Sequence, residues 1–474
     1  MLCTSVWPEL GHAHAFGARY DLPLPLWLYL VAAGATVAFT FLLLALFCRD
    51  KSDKGPEWTM PITWSRVLAL MPVRICGQAA GIFIFLLVVL TGLFGSQDTI
   101  HNLAPALVWV IWWVGFTFFA CLAINLWPFV NPWTALFKAF AWLRGRWRIS
   151  APSRSLLTYP PALGAWPSVL FLFLVAWLEQ VSTIGERPRA LACVILLYSG
   201  LTWMGMWFFG RDKWLASGEV FHQYFGVLGR FAPVGTCDGR IVLRPYGAGL
   251  RATQPAHPSM TLFVIVMLAT VTFDGFVETP AWAGLLQWVS ESRLLRGALI
   301  WFQSVGVELL GLIKTIAFIF CIALFFAVFR GFCTLSRLLT GGTVTIFLLT
   351  NTLVFSLVPI AIAYHVAHYL SYLLLAGQLI IPLASDPFGW GWDLFGTASY
   401  SMDIGIINAA TVWYVAVGAI VLGHVIAVWV AHEIALALYV NSRHALLSQL
   451  PMLVLMVLYT MSSLWILSQP IIEI

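Results

Sequence analysis

Long runs of apolar residues with few charges recur along the chain, and they constrain its fold more than any other feature. A helix rises 1.5 Å per residue, so about 20 such residues cross the hydrocarbon core of a bilayer. The runs are too long for transmembrane barrel strands, which need about ten alternating residues each. Only 9% of the residues are charged and 61% are hydrophobic, whereas soluble proteins carry about 25% charged residues. We therefore expect an all-α, polytopic helical membrane protein.

The number of spans and their orientation follow from the apolar runs and from the positions of the cations. Most of the 25 Lys and Arg residues follow odd-numbered spans, and basic loops stay in the cytoplasm. This distribution predicts that both termini lie outside. Ten spans are predicted, at residues 26–48, 77–95, 103–126, 163–181, 190–209, 259–279, 304–329, 343–375, 407–437 and 446–468.

The domain organisation is predicted to be a single integral membrane domain, 1–474, with three longer connections. Residues 127–162 mix aromatic and basic side chains, as interfacial segments do. Residues 210–258 form the longest cytoplasmic loop, and residues 376–406 form an outer loop that could cap a cavity. The net charge of +5 is a topology signal and does not indicate a nucleic-acid partner. The chain contains no motif of a soluble enzyme.

Ionisable side chains inside the spans are the candidate functional residues, because a charge costs about 2.5–3.5 kcal/mol there on insertion scales. Counting along each span places five of them at one depth, in the outer half of the bilayer. Pro359 is expected to kink the eighth span just below its histidines. The five are Asp274 and Glu278 in the sixth span, Glu308 in the seventh, and His365 and His368 in the eighth. His424 in the ninth span lies deeper, and a kinked or longer helix would bring it towards them.

The chemistry of these residue types favours a transition metal. Imidazoles three residues apart and carboxylates four residues apart each share one helix face, and such groups bind Zn, Cu or Fe. The predicted ligands are His365, His368, Asp274, Glu278 and His424, with Glu308 and Asp274 as catalytic groups. A bound metal would supply hydroxide at neutral pH.

Three alternatives remain open for the same residues. The carboxylates and histidines could pair with one another and with Lys314 in a purely structural role. They could also form an ion or proton path in a transporter or a metal-handling subunit, with a second membrane subunit as partner. A single haem between His368 and His424 is the third alternative, although histidines three residues apart argue against stacked haems.

Several blocks of the sequence carry a family resemblance over most of the chain. The blocks are HAHAFGARYDLPLPLWLYL, NLAPALVWVIWWVGF, NPWTALF, AYHVAHYLSYLLLAGQLIIPLASDPFGWGWDLFG, VLGHVIAVWVAH and PMLVLMVLYTMSSLWILSQPI. They resemble bacterial polytopic membrane proteins known as fenitrothion hydrolases. The resemblance implies a multi-pass protein of the bacterial inner membrane that hydrolyses an organophosphorus triester, and it assigns no catalytic residue.

The combined expectation is a membrane-embedded, metal-dependent hydrolase of a small hydrophobic ester. The positions of the ionisable residues predict that the site lies in the outer half of the bilayer. The family resemblance implies that the ester is a phosphotriester. An apolar substrate could reach such a site through the lipid.

Overall fold

The computed structural model describes residues 23–48, 60–61, 71–146, 155–237, 240–251 and 254–469. Within these ranges, ten helical segments are long and apolar enough to cross a membrane, which confirms the predicted all-α polytopic fold. Backbone groups in lipid must be satisfied internally, so each apolar run becomes a helix. The described part does not include residues 1–22, most of the connection between the first two spans, residues 147–154 of the predicted interfacial segment, or the pairs 238–239 and 252–253 of the 210–258 loop.

Nine helices lie in the described residues of the first half of the chain. They are α1 (Leu26–Phe47), α2 (Met71–Phe94), α3 (Leu103–Leu122), α4 (Trp127–Val130), α5 (Pro132–Arg146), α6 (Trp166–Gln180), α7 (Pro188–Phe209), α8 (Arg211–Leu215) and α9 (Val220–Phe231). The middle of α3, Ala106–Gly115, is a π-helix. A 3₁₀ turn at Pro161–Leu163 precedes α6.

The second half contributes nine more helices. They are α10 (Pro258–Val277), α11 (Pro280–Glu291), α12 (Arg296–Ser304), α13 (Leu309–Leu339), α14 (Ile346–Leu353), α15 (Val358–Ala376), α16 (Ile380–Ser385), α17 (Ala409–Leu438) and α18 (Ser442–Leu467). The eighth span combines α14, a 3₁₀ turn at Val354–Leu357, α15 and α16. The turn ends just before Pro359, the residue expected to disturb this helix.

Two spans form the centre of the bundle. In the most apolar windows of the sixth span (α10) and the eighth span (α14–α16), 72% and 83% of the residues are buried. The corresponding fractions are only 17% for α1, 11% for α2 and 11% for α13. α10 packs against α6, α13 and α15, and α15 packs against α17. The candidate residues on α10 and α15 therefore face protein rather than lipid.

The 210–258 segment is folded in its described part. α9 packs against α3, α6 and α15, and Val220 and Phe225 are fully buried. Three short strands lie beside α9 and form an antiparallel sheet in the order β1-β3-β2. They are β1 (Met60–Pro61), β2 (Val234–Cys237) and β3 (Arg240–Leu243), with Leu243 opposite both Met60 and Val234.

The start of α9 is held by a buried carboxylate. Glu219 is fully buried and accepts hydrogen bonds from the backbone N–H of Phe221 (3.0 Å) and of His222 (2.8 Å). The Tyr198 hydroxyl of α7 donates a third bond of 2.7 Å. An acidic N-cap also interacts favourably with the helix dipole, so this residue has a structural explanation.

Candidate functional site

Asp274, near the end of α10, joins the two central spans. Gly275 allows this close approach, because a Cβ there would lie 2.3 Å from the Tyr364 hydroxyl of α15. Oδ2 of Asp274 lies 2.9 Å from Nε2 of His368 and accepts a 2.6 Å hydrogen bond from the Tyr369 hydroxyl. When Asp274 is ionised it only accepts hydrogen bonds, which requires the proton of His368 on Nε2. Two of the predicted site residues, Asp274 and His368, are thus in direct contact.

His365 takes a different place from His368. The Tyr369 ring lies beside both imidazoles, with its centroid 4.7 Å from that of His365 and 4.7 Å from that of His368. His365 is 4% exposed, neither of its ring nitrogens makes a hydrogen bond, and its ring lies 5.6 Å from that of Phe118. It also lies near the backbone of Val114, at the end of the π-helical stretch. π-Helical segments are frequent at functional sites.

Glu278 and the two residues from the seventh span complete the polar surroundings. Glu278 caps the end of α10, within electrostatic range of Asp274, His368 and Lys314. Glu308 precedes α13 and is exposed, and Lys314 lies in its second turn. Glu278, Glu308 and Lys314 line the same cavity as Asp274.

His424 has other neighbours. It is fully buried in α17, its Nδ1 lies 2.8 Å from the Ile420 carbonyl oxygen, and its ring lies 5.9 Å from that of Tyr459. No contact with Asp274, His365 or His368 is found among the described residues. The described contacts of His424 are thus with Ile420 and Tyr459, and its role as a ligand stays a prediction.

Glu179, in the last turn of α6, is a site residue that the analysis of the sequence missed. Its carboxyl group lies within electrostatic range of Asp274 and near the side chains of Trp113 and Tyr369. The signal was present, because the stretch WLEQ ends the fourth predicted span and places an acidic residue inside it. The rule that identified Asp274 identifies Glu179 equally well when it is applied to that span.

A cavity of about 290 Å³ is lined by Glu179, Asp274, Glu278, Glu308 and Lys314. Its walls come from α3, α6, α10, α13 and α15, and Thr99, Ser182 and Glu186 lie at the end formed by the connecting loops. Leu379 and Leu383, from the segment predicted to cap a cavity, also line it. Close to this end, a hydrogen bond from His101 holds the pKa of Asp98 below its usual value. The negative charge of Asp98 is therefore favoured.

The metal prediction receives no support from this arrangement. In the described part of the chain, no three His, Cys, Asp or Glu side chains are placed so that they could hold a metal ion. Nε2 of His368 is engaged with Asp274, which also leaves it poorly placed for a haem iron shared with His424. The metal and the haem stay predictions.

What the arrangement offers chemically is a carboxylate that faces a cavity and is held by two donors. Asp274 and Tyr369 line the cavity, and the ring of His368 lies behind them. A lysine lies on the opposite helix, α13. Comparison of the chain with family models, with curated proteins and with solved structures finds no match.

Proposed function

We propose that the protein is a membrane-embedded hydrolase of a small ester, with Asp274 as the general base. The observation that carries the proposal is the pair of hydrogen bonds that His368 and Tyr369 make to Oδ2 of this cavity-lining carboxylate. Bonds of this kind fix the direction in which a carboxylate points, and a fixed base within reach of water supports proton abstraction. The family resemblance supplies the substrate class of the proposal, an organophosphorus triester.

The placement of the charged groups supports the following proposed reaction. Asp274 takes a proton from a water molecule in the cavity as the water oxygen bonds to phosphorus. The bond from phosphorus to the leaving oxygen breaks, and the leaving group departs with its electron pair and is protonated by solvent. Lys314 lines the same cavity and stabilises the negative charge that develops on the phosphoryl oxygen. His368 and Tyr369 are positioning residues.

A chromogenic nitrophenyl phosphotriester tests the proposal on the full chain in proteoliposomes. Asp274→Asn keeps the size of the side chain and removes the base, so turnover should fall by about a hundredfold or more, within the range that general bases contribute. Glu433→Gln is the matched control, because Glu433 pairs with Arg251 at 3.5 Å, away from the cavity. Undiminished turnover in Asp274→Asn contradicts the proposal. Elemental analysis of the same samples tests the metal prediction.

An ion or proton path is the second candidate, because acidic side chains follow one another through the cavity. Glu186 and Glu308 lie towards the loop end, and Asp274 and Glu179 lie further in. Such a path predicts proton flux into proteoliposomes that responds to Glu179→Gln. A pH-sensitive dye inside the vesicles measures this flux, and hydrolysis without flux favours the enzyme.

A further inference from the structure

The described part of the cavity lining is rich in acidic side chains. Among the lining residues that the structure describes, Lys314 is the one basic side chain and five are acidic: Glu179, Glu186, Asp274, Glu278 and Glu308. Charges of one sign in a cleft with low-dielectric walls concentrate ligands of the opposite charge. An acidic lining alone is equally typical of a solvated surface.

Gln180 provides an independent observation. It is only 9% exposed, and its Nε2 donates a 3.1 Å hydrogen bond to the Thr270 carbonyl of α10. This bond fixes the orientation of the amide, because the reverse orientation would place two oxygens together. Gln180 is one of the residues that line the cavity, and its Oε1 is buried and has no hydrogen-bond partner among the described residues. A buried acceptor without a donor is destabilising, and a ligand that donates a hydrogen bond to it would remove this cost.

Glu179, which precedes Gln180 in α6, also has a buried acceptor without a donor. Its Oε2 makes no hydrogen bond. Two adjacent acceptors, one of them on a carboxyl group, fit a ligand group that carries both a positive charge and several N–H donors. A protonated amine has these properties, whereas a quaternary ammonium has no N–H to donate.

Four aromatic side chains form another part of the wall. Trp109, Trp282, Tyr369 and Tyr372 line the cavity, and Trp109 is anchored by a 2.9 Å bond from Nε1 to the Gly185 carbonyl. Aromatic side chains attract cations through their π-faces and also accept the apolar part of a ligand. The volume of about 290 Å³ is at the lower end of the range for small-molecule pockets.

From these observations we infer that the cavity binds a small organic ammonium ion, a protonated primary amine that bears an apolar group. Glu179 and Gln180 accept hydrogen bonds from the ammonium, and the aromatic wall packs against the apolar part. This inference deepens the proposed function by naming its substrate class, an ester that carries a protonated amine. It rests on the proposed function for turnover and is independent of it for binding.

Binding is measured by calorimetry on the full chain in detergent, with 2-phenylethylamine and the neutral, similarly sized 2-phenylethanol. We expect the amine to bind at least about tenfold more tightly than the alcohol, since a hydrogen bond to a charged group contributes about a factor of ten. Equal binding of the two compounds, no binding of the amine, or displacement of the amine by Na⁺ at equal concentration overturns the inference.

Three variants locate the site. Glu179→Gln should weaken amine binding by about tenfold and leave alcohol binding unchanged, whereas Glu433→Gln should change neither. Lys314→Gln should strengthen amine binding, because it removes a like charge from the cavity. This gain cannot come from misfolding, so it protects the test against a damaged Glu179→Gln protein. Unchanged amine affinity in both cavity variants contradicts the inference.

Turnover separates the two proposals. Amine binding without hydrolysis of either a neutral or an amine-bearing ester removes the proposed function and leaves this inference standing. Hydrolysis of a neutral ester by a protein that binds no amine supports the proposed function and overturns this inference.

Discussion

The Tyr369 hydroxyl donates a 2.6 Å hydrogen bond to Oδ2 of Asp274, across the contact between the two most buried spans. The same oxygen lies 2.9 Å from Nε2 of the neighbouring residue, His368. Two consecutive residues of α15 therefore reach one carboxylate oxygen on α10. This contact orients Asp274 and ties together the centre of the bundle, so changes to it should affect activity and stability to different degrees.

Removal of the Tyr369 hydroxyl tests the orienting role. Tyr369→Phe keeps the ring that lies beside both histidines and deletes one donor to the carboxylate. We expect phosphotriester turnover to fall by about tenfold or more, because hydrogen bonds to charged groups contribute about 1.5–3 kcal/mol. KM should change little if the hydroxyl only orients the base. Steady-state kinetics and a thermal melt of the same sample check this, and a collapse of the melt with normal turnover contradicts the positioning role.

The two histidines should differ in their effects. His368→Asn removes a donor to Asp274, so turnover should fall strongly. His365→Asn removes a ring that makes no hydrogen bond, so turnover should fall less. A metal site that uses both imidazoles predicts comparable losses and loss of the bound metal in each variant. Turnover and elemental analysis of the two variants, side by side, decide between these outcomes. Equal loss of activity together with loss of a stoichiometric metal supports the metal prediction over the Asp274 base.

The fold was predictable because lipid imposes a local rule. A span such as α10 or α13 is recognised from its own composition, since every backbone hydrogen bond is made within the segment. The described part of the 210–258 segment was harder, because α9 is short and its burial depends on α3, α6 and α15, which are distant in sequence. Local patterns carry no information on such packing.

The site was predictable only in part, for a related reason. Spacing shows that Asp274 and Glu278 share a face of one helix, but it does not show which helix that face meets. The pairing of α10 with α15 brought Asp274 to His368, and the packing of α17 left His424 beside Tyr459. Glu179 could have been predicted as a site residue, because it is an ionisable side chain inside a span. The role of the Tyr369 hydroxyl could not have been predicted, because tyrosines in membrane spans are common and mostly interfacial.

Glu219 should prove to be a structural residue and not a catalytic one. Its carboxylate caps α9 and accepts the 2.7 Å bond from Tyr198. Glu219→Ala leaves several buried donors unsatisfied, so the free energy of unfolding should fall by about 3 kcal/mol. Tyr198→Phe, which removes one bond, should cost about 1 kcal/mol. Denaturation in detergent measures both values. A large loss of turnover in Tyr198→Phe without a change in stability contradicts this assignment.

Gly423 should be the position on α17 that is least tolerant of a larger side chain. A Cβ there would lie 2.3 Å from the Cβ of Ala363 and 2.8 Å from the Pro359 carbonyl oxygen, so α15 and α17 could no longer approach as closely. Gly423→Ala should lower the free energy of unfolding by about 1–3 kcal/mol, the usual cost of overpacking. Gly418→Ala is the matched control on the same helix, because a Cβ there meets nothing within 4 Å. Denaturation midpoints of the two variants in detergent give the comparison. Equal stability of both would show that the close contact between α15 and α17 does not hold the bundle together.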